Sequence, residues 1–175
     1  MGNFFHGTDF NVLVVGLNSA GKSTIINKLK PEICQQKSIN PTNGFETPWI
    51  PFKNYCLKFK DMAGSSNFRP LWQNHADNLD GIIFVVDSSD QTRFSTAKEE
   101  LHALLALGPI QSKPIPILIL ANKNDLEESA PKEVIEKALD LQSIANHATN
   151  ILSVCAQYPK EIFLGLEWLI MRKAN

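Results

Sequence analysis

The sequence predicts one α/β domain built on a doubly wound, mostly parallel sheet, and three observations carry that prediction. Apolar runs at 10–16, 81–86, 115–121 and 151–155 are short, β-branched and bounded by polar or turn residues, as strands buried on both faces are. Stretches of helical periodicity at 22–30, 92–106, 131–140 and 160–172 lie between them. The length, 175 residues, suits about one domain. Strand–helix alternation within one domain places ligands beyond the carboxyl ends of the strands.

Residues 1–9 are expected to form a short N-terminal segment, and residues 10–173 the single nucleotide-binding domain. The first run leads directly into Gly16-Leu17-Asn18-Ser19-Ala20-Gly21-Lys22-Ser23 and then into the helical stretch at 22–30, so a GxxxxGKS pattern lies between strand and helix. Glycines let the backbone wrap until successive N–H groups point inward, and the helix N-terminus adds a positive dipole end. Asn18, Ser19, Ala20, Gly21, Lys22, Ser23 and Thr24 are therefore the expected phosphate-binding residues. Lys22 supplies a point charge to the β and γ phosphates, and the Ser23 hydroxyl is placed for Mg²⁺.

Residues 55–60 alternate Tyr55, Leu57 and Phe59 with Cys56, Lys58 and Lys60, which fits a strand with one face in solvent near the sheet edge. Residues 45–52, FETPWIPF, are expected to pair with it in a hairpin around Lys53-Asn54. Pro48 and Pro51 stand three apart, so their nitrogens face opposite sides and one of them removes a ladder donor. A bulge or a broken ladder is expected there.

After the strand at 115–121 comes Asn122-Lys123-Asn124-Asp125, an NKxD pattern at a strand end. A carboxylate such as Asp125 accepts two hydrogen bonds from guanine, from N1–H and the 2-amino group, whereas adenine offers neither. A site built on such donors rejects an analogue lacking them by roughly 10⁴-fold, so guanine is favoured. Asn122 and the Lys123 stem would frame the ring. Ser153-Val154-Cys155-Ala156, at the end of the last strand, would offer N–H groups to the guanine oxygen, with Cys155 and Ala156 the expected contacts. In the last helix, Ile162, Phe163, Leu166, Leu169 and Ile170 form a stripe read as core packing.

Composition excludes several functions. Seventeen Lys+Arg against eighteen Asp+Glu leave a net charge of −1, without the basic surface that nucleic-acid binding needs. Apolar residues at 43% and charged residues at 20% are ordinary for a globular domain. Cys34, Cys56 and Cys155 are widely spaced and form no CxxC pair, which fits a reducing compartment. The start has no basic leader and no run reaches about 18 apolar residues, so a cytoplasmic monomer is expected.

With these motifs in order, the chain resembles the small Ras-like GTPases, and more closely the ADP-ribosylation-factor and Arf-like branch. The residues that carry this are Pro41-Thr42-Asn43-Gly44-Phe45, Leu71-Trp72, Phe84-Val85-Val86-Asp87-Ser88, Glu99-Glu100-Leu101 and Cys155-Ala156. Within the branch, TIINKLKP and IPIL-ANKND look most similar to the cilium-associated kind that recruits a membrane coat, the BBSome. The resemblance implies a three-layer P-loop fold with a six-stranded sheet, an edge β-hairpin and about five helices. It implies GTP and GDP as ligands with Mg²⁺, Thr42 on the metal and the γ-phosphate, Gly64 donating its N–H to that phosphate, and Asp61 in the outer shell of the metal. Loss of the γ-phosphate would release both segments. Effectors, an exchange factor and an activating protein are the implied partners. The implied setting is membrane or ciliary traffic, at a peripheral membrane or the cilium base.

Three positions depart from that pattern. Ser65 stands where a glutamine usually orients the attacking water, so hydrolysis slower than the usual order of 10⁻⁴ per second is expected. Lys60 and His75 replace aromatic residues of the effector surface, which implies either a different partner set or lysines that simply face water. Gly2 is a candidate for acylation, although His6 stands where Ser or Thr is preferred. With only Phe4 and Phe5 apolar nearby, any membrane association is expected to be weak. Two other readings stay open: a non-hydrolysing nucleotide-bound interaction module, favoured by Ser65, and a phosphate-loop kinase, for which the chain lacks an arginine-rich lid.

Overall fold

The computed structural model describes residues 7–173; Gly2, Phe4, Phe5 and His6 lie outside them. Strand β1 (Thr8–Val15) alternates its side chains between two cores. Phe10, Val12 and Val14 enter one, and Leu13 and Val15 enter the other. The same split recurs in β5 (Gly81–Asp87) and β6 (Ile117–Asn122): Ile83, Val85, Leu118 and Leu120 face one side, and Ile82, Phe84, Val86, Ile117 and Ile119 the other. Strands apolar at every position are thus covered on both faces. Helices α1 (Lys22–Leu29) and α5 (Lys160–Lys173) cover the first, and α2 (Phe94–Leu105) and α4 (Lys132–Ala138) the second. The stripe of α5 is core as expected, with Ile162, Leu166, Leu169 and Ile170 buried, while half-buried Phe163 stacks on Phe52 at 5.8 Å.

The remaining elements are β2 (Phe45–Glu46), β3 (Trp49–Phe52), β4 (Tyr55–Met62), the four-residue α3 (Gly108–Gln111) and β7 (Thr149–Ser153). Short 3₁₀ turns lie at Glu32–Cys34, Arg69–His75, Gln91–Arg93 and Leu141–Ser143. The sheet order is β2-β4-β1-β5-β6-β7, with β3 also on β4. All neighbours are parallel except β2 and β3, which run antiparallel to β4. Neighbours lead away from β1 in opposite chain directions, so the loop after β1 lies at the reversal point where such sheets bind ligands.

Seven strands replace the expected six because the outer hairpin strand is divided at Thr47-Pro48. Phe45 faces Met62 and Trp49 faces Lys58, so both halves keep one register and no residue is inserted. The ladder is broken and not bulged. Phe59 N–H donates to the Pro48 carbonyl at 2.9 Å, but Pro48 has no N–H to return. Pro51, opposite Cys56, turns its nitrogen to the free edge.

Other boundaries move for local reasons. β6 starts at Ile117 and not at 115, because Pro114 and Pro116 precede it. α1 ends at Leu29, just before Lys30-Pro31, where a residue ahead of proline is driven from helical geometry. β7 ends at Ser153, which leaves Val154, Cys155 and Ala156 in the loop beyond the strand.

Candidate functional site

The loop after β1 has the backbone its glycines allow. Gly16 has φ 141° and Gly21 φ 98°; a Cβ would lie 2.2 Å from the Val85 carbonyl oxygen at the first and 2.2 Å from Asn122 Nδ2 at the second. Neither site admits a side chain without displacing its neighbour. Gly21 precedes α1, whose first turn has no acidic residue and no side-chain cap, so its leading N–H groups remain available to a ligand. Asn18, Ser19, Gly21, Lys22, Ser23 and Thr24 form one wall of a cleft whose other wall is Asn40, Pro41, Thr42, Ala63, Gly64 and Ser65. The Ala20 side chain is buried in the core beneath the loop, which leaves its backbone as the part that faces the cleft side.

Lys22 is 6% exposed, and its Nζ donates to the carbonyls of Gly16 at 3.0 Å and Leu17 at 2.9 Å. Burial lowers its pKa from 10.5 to about 8; Asp61 opposes this, and Arg69 and Arg93 add to it. The ammonium is therefore held by loop carbonyls at the place where a phosphate would neutralise it.

Three oxygens converge beside it. Ser23 Oγ donates to Asp61 Oδ2 at 2.7 Å and lies 2.9 Å from Thr42 Oγ1, so the Thr42 hydroxyl is the donor in that pair. Asp61 is 2% exposed, and its Oδ1 is buried with no hydrogen-bond partner. Burial raises its pKa, against the Ser23 hydrogen bond and the charge of Lys22. An orphaned carboxylate oxygen beside two hydroxyls fits a hard divalent cation. Among the described residues no three His, Cys, Asp or Glu cluster as a metal cage.

A second pocket adjoins this cleft through Gly21 and Thr24, and is lined further by Asn122, Lys123, Asp125, Leu126, Cys155, Ala156 and Gln157. Asp125 and Cys155 are neighbours: burial raises the Cys155 thiol pKa, and a hydrogen bond with Asp125 raises it further. Lys123, at φ 66°, pairs its Nζ with Asp87 Oδ2 at 2.5 Å. Burial of Asp87 works toward a higher pKa, but hydrogen bonds from Lys123 and Ser89 outweigh it and hold the carboxyl low. Asn122 does something the sequence reading missed. Its Nδ2 donates to the Ala20 carbonyl at 2.8 Å and its Oδ1 accepts the Ala156 N–H at 3.1 Å. While lining the pocket, it straps the loop after β1 to the last loop, and it occupies the Ala156 N–H expected to face guanine.

Other contacts also lacked a sequence signal. Arg93 donates to the Asn18 carbonyl at 3.0 Å and to Asn18 Oδ1 at 2.7 Å. Arg69 Nε donates to the Gly64 carbonyl at 3.0 Å, and Trp72 Nε1 to the Ala63 carbonyl at 3.1 Å. Ser65 lines the cleft, and its carbonyl accepts the N–H groups of Phe68 at 2.9 Å and Arg69 at 3.2 Å. On the outer face Lys60 does not simply face water. It donates to the carbonyls of His75 and Asp77, each at 3.2 Å, and closes the end of the 3₁₀ turn at Arg69–His75. Lys58 pairs with Asp9 at 2.6 Å. His75 rests against Phe45 with ring centroids 4.2 Å apart, and burial, then Lys60, lowers its pKa.

The family model described as the ADP-ribosylation factor family matches residues 2–173. The chain is 38% identical over 163 residues to ADP-ribosylation factor-like protein 6 of Danio rerio, covering 92% of this chain and 87% of the relative. A solved structure of the Arl6 BBS3 small GTPase from Trypanosoma brucei, with the bound nucleotide analogue GppNp, is similar with a TM-score of 0.88 at 31% identity. That likeness covers 95% of this chain and 98% of the other.

Proposed function

The chain belongs to the ADP-ribosylation factor family, and from that premise we propose that it is a GTP-dependent switch that binds GTP and GDP with Mg²⁺ and recruits effectors in membrane or ciliary traffic. The observation that carries this reading is the meeting of Thr42 with Ser23 at 2.9 Å. A segment 19 residues away from the phosphate loop is brought to its first helical hydroxyl, beside the orphaned Asp61 oxygen. Ser23 and Thr42 would hold the metal directly, and Asp61 would hold the water around it. The ion, when bound, neutralises charge on the β and γ phosphates. Lys22 would exchange its two loop carbonyls for phosphate oxygens, Gly64 would donate its N–H to the terminal phosphate, and Asp125 would read the guanine edge. Asn18, Ser19, Ala20, Gly21 and Thr24 would contribute N–H groups along the phosphates.

Ser65 sets the rate. A serine side chain is too short to orient the water that a glutamine reaches from the same backbone position, so the bound triphosphate persists and the active surface is long-lived. A non-hydrolysing interaction module is the second reading, and Ser65 is the observation that favours it. Acylation at Gly2 would give weak membrane contact, leaving effectors to supply the rest. No helix among the described residues is long and apolar enough to cross a membrane.

One experiment tests this reading. Purified protein with Mg²⁺ is titrated with labelled GTP against unlabelled GTP or ATP, and single-turnover hydrolysis is then followed for wild type and Ser65→Gln. GTP is expected to compete about 10⁴-fold better than ATP. Wild type should turn over at or below the order of 10⁻⁴ per second, and Ser65→Gln at least about tenfold faster. Equal competition by ATP would remove the guanine assignment, and a substitution that leaves the rate unmoved would remove the account of Ser65.

A further inference from the structure

The two peptide units on either side of Gly64 are held by side chains that line neither the phosphate cleft nor the base pocket. Before Gly64, the Ala63 carbonyl accepts the indole N–H of Trp72, which is 3% exposed, and the Ala63 N–H donates to the Gly44 carbonyl at 2.9 Å. A trans peptide is planar, so fixing the Ala63 carbonyl fixes the Gly64 N–H on the opposite side. After Gly64, its carbonyl accepts Arg69 Nε, and Arg69 Nη1 is held by Glu100 Oε1 of α2 at 2.7 Å. Gly64 itself stands hard against the phosphate loop. A Cβ there would lie 2.4 Å from the Gly16 carbonyl oxygen and 2.5 Å from Lys22 Nζ.

We propose that Trp72 and the Arg69–Glu100 pair are positioning residues that hold the Gly64 peptide for a terminal phosphate, so that the preference for a nucleoside triphosphate over a diphosphate is set by these three side chains. The inference rests on the nucleotide-switch reading. Its physical content is pre-organisation: a single N–H gains most when its direction is fixed before the ligand arrives. A diphosphate ends short of Gly64 and gains nothing from the fixed direction. Arg69 suits the task because its planar fork reaches the Gly64 carbonyl and Glu100 at once, and a lysine of equal charge cannot. α2 thereby becomes part of the triphosphate sensor without touching nucleotide.

The test compares dissociation constants for GDP and for the analogue GppNp, both with Mg²⁺, in wild type, Trp72→Phe, Arg69→Lys and Glu100→Gln. Arg69→Lys keeps the positive charge near Lys22, and Trp72→Phe keeps an aromatic ring in the core. The affinity ratio of GppNp to GDP is expected to fall about tenfold in Trp72→Phe and about three- to tenfold in the other two, the loss of roughly one well-placed hydrogen bond, with GDP affinity within about twofold. Equal weakening of both ligands would mean a merely structural role and overturns the proposal, as does an unchanged ratio. Should Trp72→Phe unsettle the core, Glu100→Gln still decides, since its side chain is 28% exposed and the substitution keeps its size. Wild type that binds neither nucleotide would instead sink the guanine-nucleotide reading, and this proposal with it.

Discussion

Lys22 shows what burial does to a charged side chain. Its ammonium is buried, and the charge of Asp61 offsets that only in part, so its pKa falls to about 8. Between about pH 8 and 10.5 the unfolded chain holds a proton there that the ligand-free folded chain has released, so stability rises with pH across that window. Below about pH 8 the penalty for burying the charge is fully present. A phosphate in the cleft restores the charged form, so nucleotide binding should take up roughly three-quarters of a proton at pH 8.5 and almost none at pH 6.5. Calorimetric titration in buffers of different ionisation enthalpy measures this, and equal uptake at both pH values would exonerate Lys22. The GxxxxGKS and NKxD residues are contiguous in sequence, which is why they are legible there. Asn122 was legible as a site residue but its task was not, because both of its partners, Ala20 and Ala156, come from other loops. Arg93 on Asn18 left no trace for the same reason.

At the scale of elements, backbone chemistry was the most legible feature and long-range caps the least. Two prolines three apart foretold that one would face the ladder, and Pro48 does, with β2 and β3 in one register on either side of it. Replacing Pro48 with alanine should supply the missing donor to Phe59 and join β2 to β3. One new slowly exchanging amide at position 48 is expected by hydrogen exchange. Stability should change by less than about 1 kcal/mol, because the new hydrogen bond is offset by a freer unfolded chain. A fast-exchanging amide at that position would show that the gap has another cause. Lys60 reads in sequence as half of an exposed lysine pair. It instead closes a 3₁₀ turn through the carbonyls of His75 and Asp77, contacts that only the tertiary fold supplies.

For the whole molecule, the doubly wound sheet was legible because strands apolar at every position need cover on both sides, and β1, β5 and β6 divide their side chains evenly between two cores. That architecture sets the two adjoining pockets at the carboxyl ends of the strands, so a ligand filling both would tie together segments from residue 18 to residue 157. Saturating nucleotide with Mg²⁺, about 1,000 times its dissociation constant, adds about 4 kcal/mol to folding. The thermal midpoint should then rise by roughly 8–16 °C for a chain of this size, and EDTA should reverse much of the gain by leaving Asp61 Oδ1 unpaired. A midpoint indifferent to both additions would separate the cleft from the stability of the fold. The β2–β3 margin has β4 as its only strand neighbour among the described residues and exposes Phe45 and Trp49, the kind of border along which chains stack into aggregates. Pro51 turns its nitrogen outward there, so an incoming copy finds a donor missing midway, and the proline stands as a guard against fibrous self-association at high concentration.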